Sequence, residues 1–148
     1  MKLRGLLLTT LVCGCCMNVC AAESQNAAVM RPIQNFFAAL TRRDKAGMLA
    51  EVAAPNIEVI SLRKGELRRW TAEQLADVVV GDHQGAIAEP IFRSIVHVDE
   101  NVAVVWTPYH FTIDGRVDHC GTDIISLLKV HEHWLIVGMA DNSREKCE

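Results

Sequence analysis

The chain has 148 residues, half of them hydrophobic, with 15 Lys and Arg against 18 Asp and Glu. That is enough apolar matter for one packed domain. It is too little positive charge for nonspecific nucleic-acid binding, which needs a basic surface, and no repeat or Pro-rich or Gly/Ser-rich tract points to a fibre or linker.

Residues 1–22, MKLRGLLLTTLVCGCCMNVCAA, read as an export signal: basic Lys2 and Arg4, an apolar stretch from Leu6, and a small-residue end. Cleavage is expected after Ala22, leaving a domain over 23–148 in the periplasm or outside the cell. The apolar run is short for a membrane span. Lipid attachment at Cys15 is the alternative, with Cys13 a poor residue for such a box. The leader holds two basic residues and no acid, so the mature chain has 13 basic and 18 acidic groups, a net −5. It also holds four of the six cysteines. In an exported chain the remaining Cys120 and Cys147 point to a disulfide. Two thiols are too few for a tetrahedral zinc site.

Over 26–40 the apolar residues recur every three or four positions (Val29, Ile33, Phe36, Phe37, Leu40), which predicts an amphipathic helix. Pro32 fits best in a first turn, so the regular part is expected from near Met30. Asp44 suits the N-cap of a short helix reaching about Val52. Residues 57–62 and 67–70 predict a hairpin around Lys64-Gly65-Glu66. Thr71 then caps a third helix that carries Leu75, Val78 and Val79 on its apolar face, and Gly81 stops it. The rest reads as four strands, 91–98, 102–113, 117–130 and 134–140. Asp114-Gly115 and His131-Glu132 mark two of their turns. Pro108, inside a long strand, predicts a bulge or bend there. Helices first and a strand meander after predict an α+β fold. Its curved antiparallel sheet would pack on the N-terminal helices and leave a cavity at one end.

One stretch breaks the apolar run: His119-Cys120-Gly121-Thr122-Asp123. Ionisable groups in a sheet cost free energy unless they are satisfied. Alternation puts His119, Gly121 and Asp123 on the face of Ile125 and Leu127, pointing inward, with Gly121 leaving room for a ligand. Cys120 takes the other face. Counting back from a turn at His131-Glu132 sets it opposite Ser143, so a folded tail brings Cys147 near, closing a loop of about 28 residues.

Trp106-Thr107-Pro108-Tyr109-His110-Phe111, Asp114-Gly115, the 119–123 cluster, Trp134-Leu135-Ile136, and 141–144 with Cys147 together resemble a known group. They are similar to the SnoaL-like and putative lumazine-binding branches of the nuclear transport factor two-like superfamily. The resemblance implies a cone-shaped, cystatin-like α+β barrel, with a pocket between sheet and helices and dimers formed through the sheet. It implies no single activity, because such folds carry isomerases, dehydratases and cyclases beside members without catalysis.

The main expectation is an exported binding domain for a small apolar or aromatic molecule, lined by Trp106, Tyr109, His110, His119 and Asp123. A cofactor-independent isomerase, dehydratase or cyclase is the alternative, with Asp123 as base and His119 or Tyr109 as its partner. A third is a dimeric interaction protein without a ligand. The bland reading of His119 and Asp123 is a structural pair bonded to tail groups such as Arg144. Arg63, Lys64, Arg68, Arg69 and Trp70 form a basic hairpin, ordinarily a solvated turn. His131 and His133 lack a third ligand, and no metal or cofactor motif is present.

Overall fold

The computed structural model describes residues 24–81 and 85–147. The expected leader, its cleavage after Ala22 and the alternative anchor at Cys15 lie outside these residues. Among them, no helix is long and apolar enough to cross a membrane.

Helix α1 (Gln25–Thr41) starts earlier than Pro32 suggested. Ser24 caps it, its side chain accepting from the Ala27 amide at 3.2 Å. Pro32 therefore sits inside the helix and is buried there. A proline in a helix interior costs about 3 kcal/mol. The stripe of Val29, Ile33, Phe36 and Leu40, all buried, outweighs it at about 1.5–3 kcal/mol per side chain. Helix α2 (Lys45–Ala50) is capped by Asp44 as expected. After strands β1 (Glu58–Arg63) and β2 (Glu66–Thr71), helix α3 (Ala72–Gly81) follows directly. Thr71 and Gln74 cap it reciprocally, each side chain accepting from the other's amide.

The second half is sheet. The short β3 (Ile87–Ala88) and β4 (Ile95–Asp99) both lie along β5 (Val102–Ile113), which is followed by β6 (Arg116–Val130) and β7 (His133–Arg144). The expected strand at 91–98 is thus reduced to β4, because Arg93 turns to a positive φ of 50°. Within the expected span a single bridge, Ile91 to Tyr109, precedes it. The sheet order is β2-β1-β7-β6-β5-β3, antiparallel throughout except where β1 runs parallel to β7. The sheet is curved and unclosed. The helices pack on its inner face, where Phe36 and Ile33 join Val105, Ile125, Leu127 and Ile136 in one buried core.

Two bulges steer this sheet, and neither is at Pro108. Pro108 keeps its place in an unbroken β5. Its carbonyl accepts from Phe92 at the sheet edge between β4 and β3, where a missing amide breaks no strand pairing. One bulge falls between Phe111 and Thr112, where Asp118 is the extra residue of β6. The other falls between Ser126 and Leu127 and shifts β7 by one. Cys120 consequently pairs with Arg144, one residue beyond the counted Ser143. The disulfide Cys120–Cys147 is present, with Cα atoms 5.8 Å apart and a sequence separation of 27.

Candidate functional site

The curved sheet and helices α1 and α3 enclose a cavity of about 470 Å³. Phe36, Phe37 and Leu40 of α1 and Leu75 and Val79 of α3 form one apolar wall. Trp70, Phe111 and Met139 stand on the sheet side. This is the space that a bent sheet over helices was expected to leave.

The polar lining gathers at two places. At the exposed mouth are Arg63 and Arg68 of the basic hairpin, with Asp118 and His119 of β6. The bulge at Asp118 brings these two neighbouring residues to the same side. His119 Nδ1 lies 2.9 Å from Asp118 Oδ2, and Arg63 reaches the same carboxylate at 3.8 Å. The imidazole stacks on Phe111, with centroids 4.9 Å apart, and meets Tyr109 edge-on. His119 and Asp123 both line the cavity, but the hydrogen-bond partner of His119 is Asp118. The expected direct pair does not form.

Deeper in is a cluster of acids. Asp123 is 4 % exposed, and its Oδ2 is buried without any hydrogen-bond partner. Asp141 of β7 is its direct cross-strand neighbour. Like charges placed opposite one another destabilise a sheet. The Tyr109 hydroxyl, on β5, donates to Asp141 Oδ2 at 2.9 Å and also lies 3.2 Å from the Asn142 carbonyl. Glu89, from the segment after β3, completes the group on the cavity wall. Burial, then the charges of Asp123 and Asp141, push the Glu89 carboxyl well above the usual range. Burial, then Asp141, does the same to Asp123. Burial, with Asp141 next, raises the Tyr109 phenol, which stays protonated as a donor.

The space beside Gly121 is not left for a ligand. A Cβ there would stand 2.5 Å from the Tyr109 ring and collide with the Asn142 carbonyl. The glycine makes room for the chain's own tyrosine. Trp106 is 42 % exposed on the outer face of β5. His110, two register positions from Pro108, packs against Phe92 with centroids 4.8 Å apart. Neither Trp106 nor His110 lines the cavity, because Tyr109 and Phe111 take the inward positions of β5. Nor does Arg144 reach Asp123. Among the described residues, no group of acids, histidines and cysteines is placed to hold a metal.

Asp141, Glu89 and Asp118 were not singled out from the sequence. A like-charge pair has a stability signature. Glu89 and Asp123 keep their protons in the folded chain to higher pH than in the unfolded one. Above about pH 4, the unfolded carboxyl value, the folded state therefore binds more protons. Stability falls with rising pH until the raised folded values are passed. Asp123→Asn removes one share of this loss. Near neutral pH the variant is expected to be about 1–3 kcal/mol more stable than the parent, with a flatter decline above pH 4. Urea denaturation across that range measures it, and a variant less stable at neutral pH would contradict the unpartnered carboxyl.

A family model described as "Putative lumazine-binding" matches residues 24–140. No match was found among curated proteins. Among solved structures, an NTF2-like protein of unknown function from Silicibacter pomeroyi is 19% identical with a TM-score of 0.63, covering 80% of this chain and 95% of that one. An NTF2-like protein from Cytophaga hutchinsonii is 13% identical with a TM-score of 0.67, covering 82% and 100%. A protein of unknown function with a cystatin-like fold from Nostoc punctiforme is 11% identical with a TM-score of 0.64, covering 80% and 90%. At these identities the likeness carries the fold.

Proposed function

Because the chain belongs to the lumazine-binding family of NTF2-like proteins, a family of ligand-binding domains, we propose that it is an exported domain whose cavity takes one small, flat organic molecule. The observation that carries this reading is the unfilled cavity of about 470 Å³, apolar-walled with one buried polar pole at Asp123. Ligand sites usually have this size and this economy of polar groups. A pure interaction protein would have filled the space with side chains.

Export draws support from the Cys120–Cys147 bridge, which suits an oxidising compartment. The outer face of the sheet supports pairing with a second copy. Val102, Val104 and Trp106 on β5 and Ile124 and Leu128 on β6 all stand exposed there. An apolar patch of that kind marks a contact surface. Native mass spectrometry of the purified exported protein tests these points together. The expected species is a dimer of chains that begin at Glu23 and carry the bridge and a retained organic molecule. Trp106→Glu is expected to yield monomers that keep the ligand. Intact leaders, or a parent that is monomeric and empty at every concentration, would refute the corresponding part.

The second reading is catalysis on the same ligand, favoured by the unpartnered Asp123 carboxyl in an apolar cavity. It would take a proton beside a carbonyl, with Tyr109 or His119 polarising the oxygen. Deuterium exchange into a bound cyclic ketone, followed by NMR, is the check; exchange unchanged in Asp123→Asn would dismiss it.

A further inference from the structure

We propose that the inner end of the cavity selects ligands with a protonated nitrogen, an amine or amidine, seated on Asp123 between Glu89 and Asp141. This rests on the pocket reading above and names the ligand chemistry. Three carboxyl groups from three segments of chain line one space. Two of them, Asp123 and Asp141, are direct partners across β6 and β7. Among the described residues, no lysine, arginine or histidine forms an ion pair with any of the three. Among the described residues the one side-chain donor in the group, the Tyr109 hydroxyl, is spent on Asp141. Asp123 is more than nine-tenths buried, and its Oδ2 has no partner.

A buried acceptor left open normally costs about 1–3 kcal/mol, more if charged. A neutral ligand N–H would satisfy that oxygen without relieving the repulsion that, on top of burial, makes these acids keep their protons. A cation does both, and in a space shielded from water its attraction to them is stronger than in solution. The Tyr109 ring borders the same space, and aromatic rings attract cations. The helices add no competing charge to this wall, where α1 and α3 contribute phenylalanine, leucine and valine. The mouth differs: Arg63 and Arg68 are there, so the preference for a cation belongs to the inner end alone.

The test displaces the neutral fluorophore phenylnaphthylamine from the mature, bridged protein with three flat probes of nearly one shape. Benzamidine is cationic, benzamide neutral and benzoate anionic. Benzamidine is expected to displace the dye at least about tenfold more tightly than benzamide, with benzoate weakest. In Asp123→Asn the advantage of benzamidine over benzamide should vanish while benzamide still binds. Glu89→Gln, in a different segment, should reduce the same advantage. Circular dichroism confirms that each variant is folded. Benzamide or benzoate binding as tightly as benzamidine overturns this inference and leaves the pocket reading standing. Failure of the fluorophore to bind at all removes the pocket reading, and this inference with it.

Discussion

Replacing Cys147 by serine is expected to lower the melting temperature by about 10 °C, a loss of about 3 kcal/mol. The bridge to Cys120 spans 27 residues, and in the chain-entropy model a loop of that length restricts the unfolded state by about 3.5 kcal/mol. Cys147 is the better half to change. It is exposed, whereas Cys120 is 3 % exposed and its removal would add a packing defect. The folded state is affected too, because the bridge holds the end of β7 against β6 where Cys120 pairs with Arg144. Just inward are Ser143, Asn142 and Asp141, the last two of which meet the Tyr109 hydroxyl. Asn142 also accepts from the Thr122 amide. β1 grips the same residues from the other side through a parallel ladder, so the strand should fray at its tip rather than detach. The variant is therefore expected to melt early yet keep its cavity. The parent treated with reductant should match it. Identical melting of parent, reduced parent and variant would show that the two thiols are not joined.

The architecture was legible because its signals are periodic and local. The stripe of α1, the cap at Asp44 and the turns at Asp114-Gly115 and His131-Glu132 stand in the sequence as they do in the fold. The site was less legible, because it depends on register. Counting back from the His131-Glu132 turn sets Ala140 opposite Asp123. The bulge at Ser126 and Leu127 replaces it with Asp141, and so converts an unremarkable pair into an acidic one. The bulge at Asp118 acts likewise, giving His119 a neighbour in sequence as its partner in place of Asp123. Glu89 carried no periodic signal at all; it stands before Pro90 in an irregular segment, and only the fold brings it to the cavity. Trp106 and His110 have the chemistry of pocket residues. Alternation along β5, unbroken at Pro108, turns them outward.

A chain selected for stability alone would not place two acids face to face in a buried sheet. The pair is supported by very little: one phenol on Asp141, held in position by one glycine, and nothing on Asp123 Oδ2. Gly121→Ala is accordingly expected to be the most damaging single methyl in the molecule, at about 3 kcal/mol or more. The added carbon would collide with the Asn142 carbonyl, which is backbone and cannot rotate away. It would also stand 2.5 and 2.6 Å from the Cε1 and hydroxyl of Tyr109, a ring buried to 2 % exposure. Moving that ring breaks its bond to Asp141 and leaves a second carboxylate unsatisfied. Gly138→Ala is the control on the neighbouring strand. Its nearest atom, the Glu58 carbonyl, is 4.0 Å away, so it should change stability by less than about 1 kcal/mol. Tyr109→Ala, alone and in the Gly121→Ala background, separates the two collisions. Without the ring the added methyl should cost less, though not nothing, because the clash with the Asn142 backbone remains. Denaturation of the four variants measures this. Gly121→Ala as mild as Gly138→Ala would mean that the tyrosine does not lie under β6, and the acidic pole would lose its one internal donor.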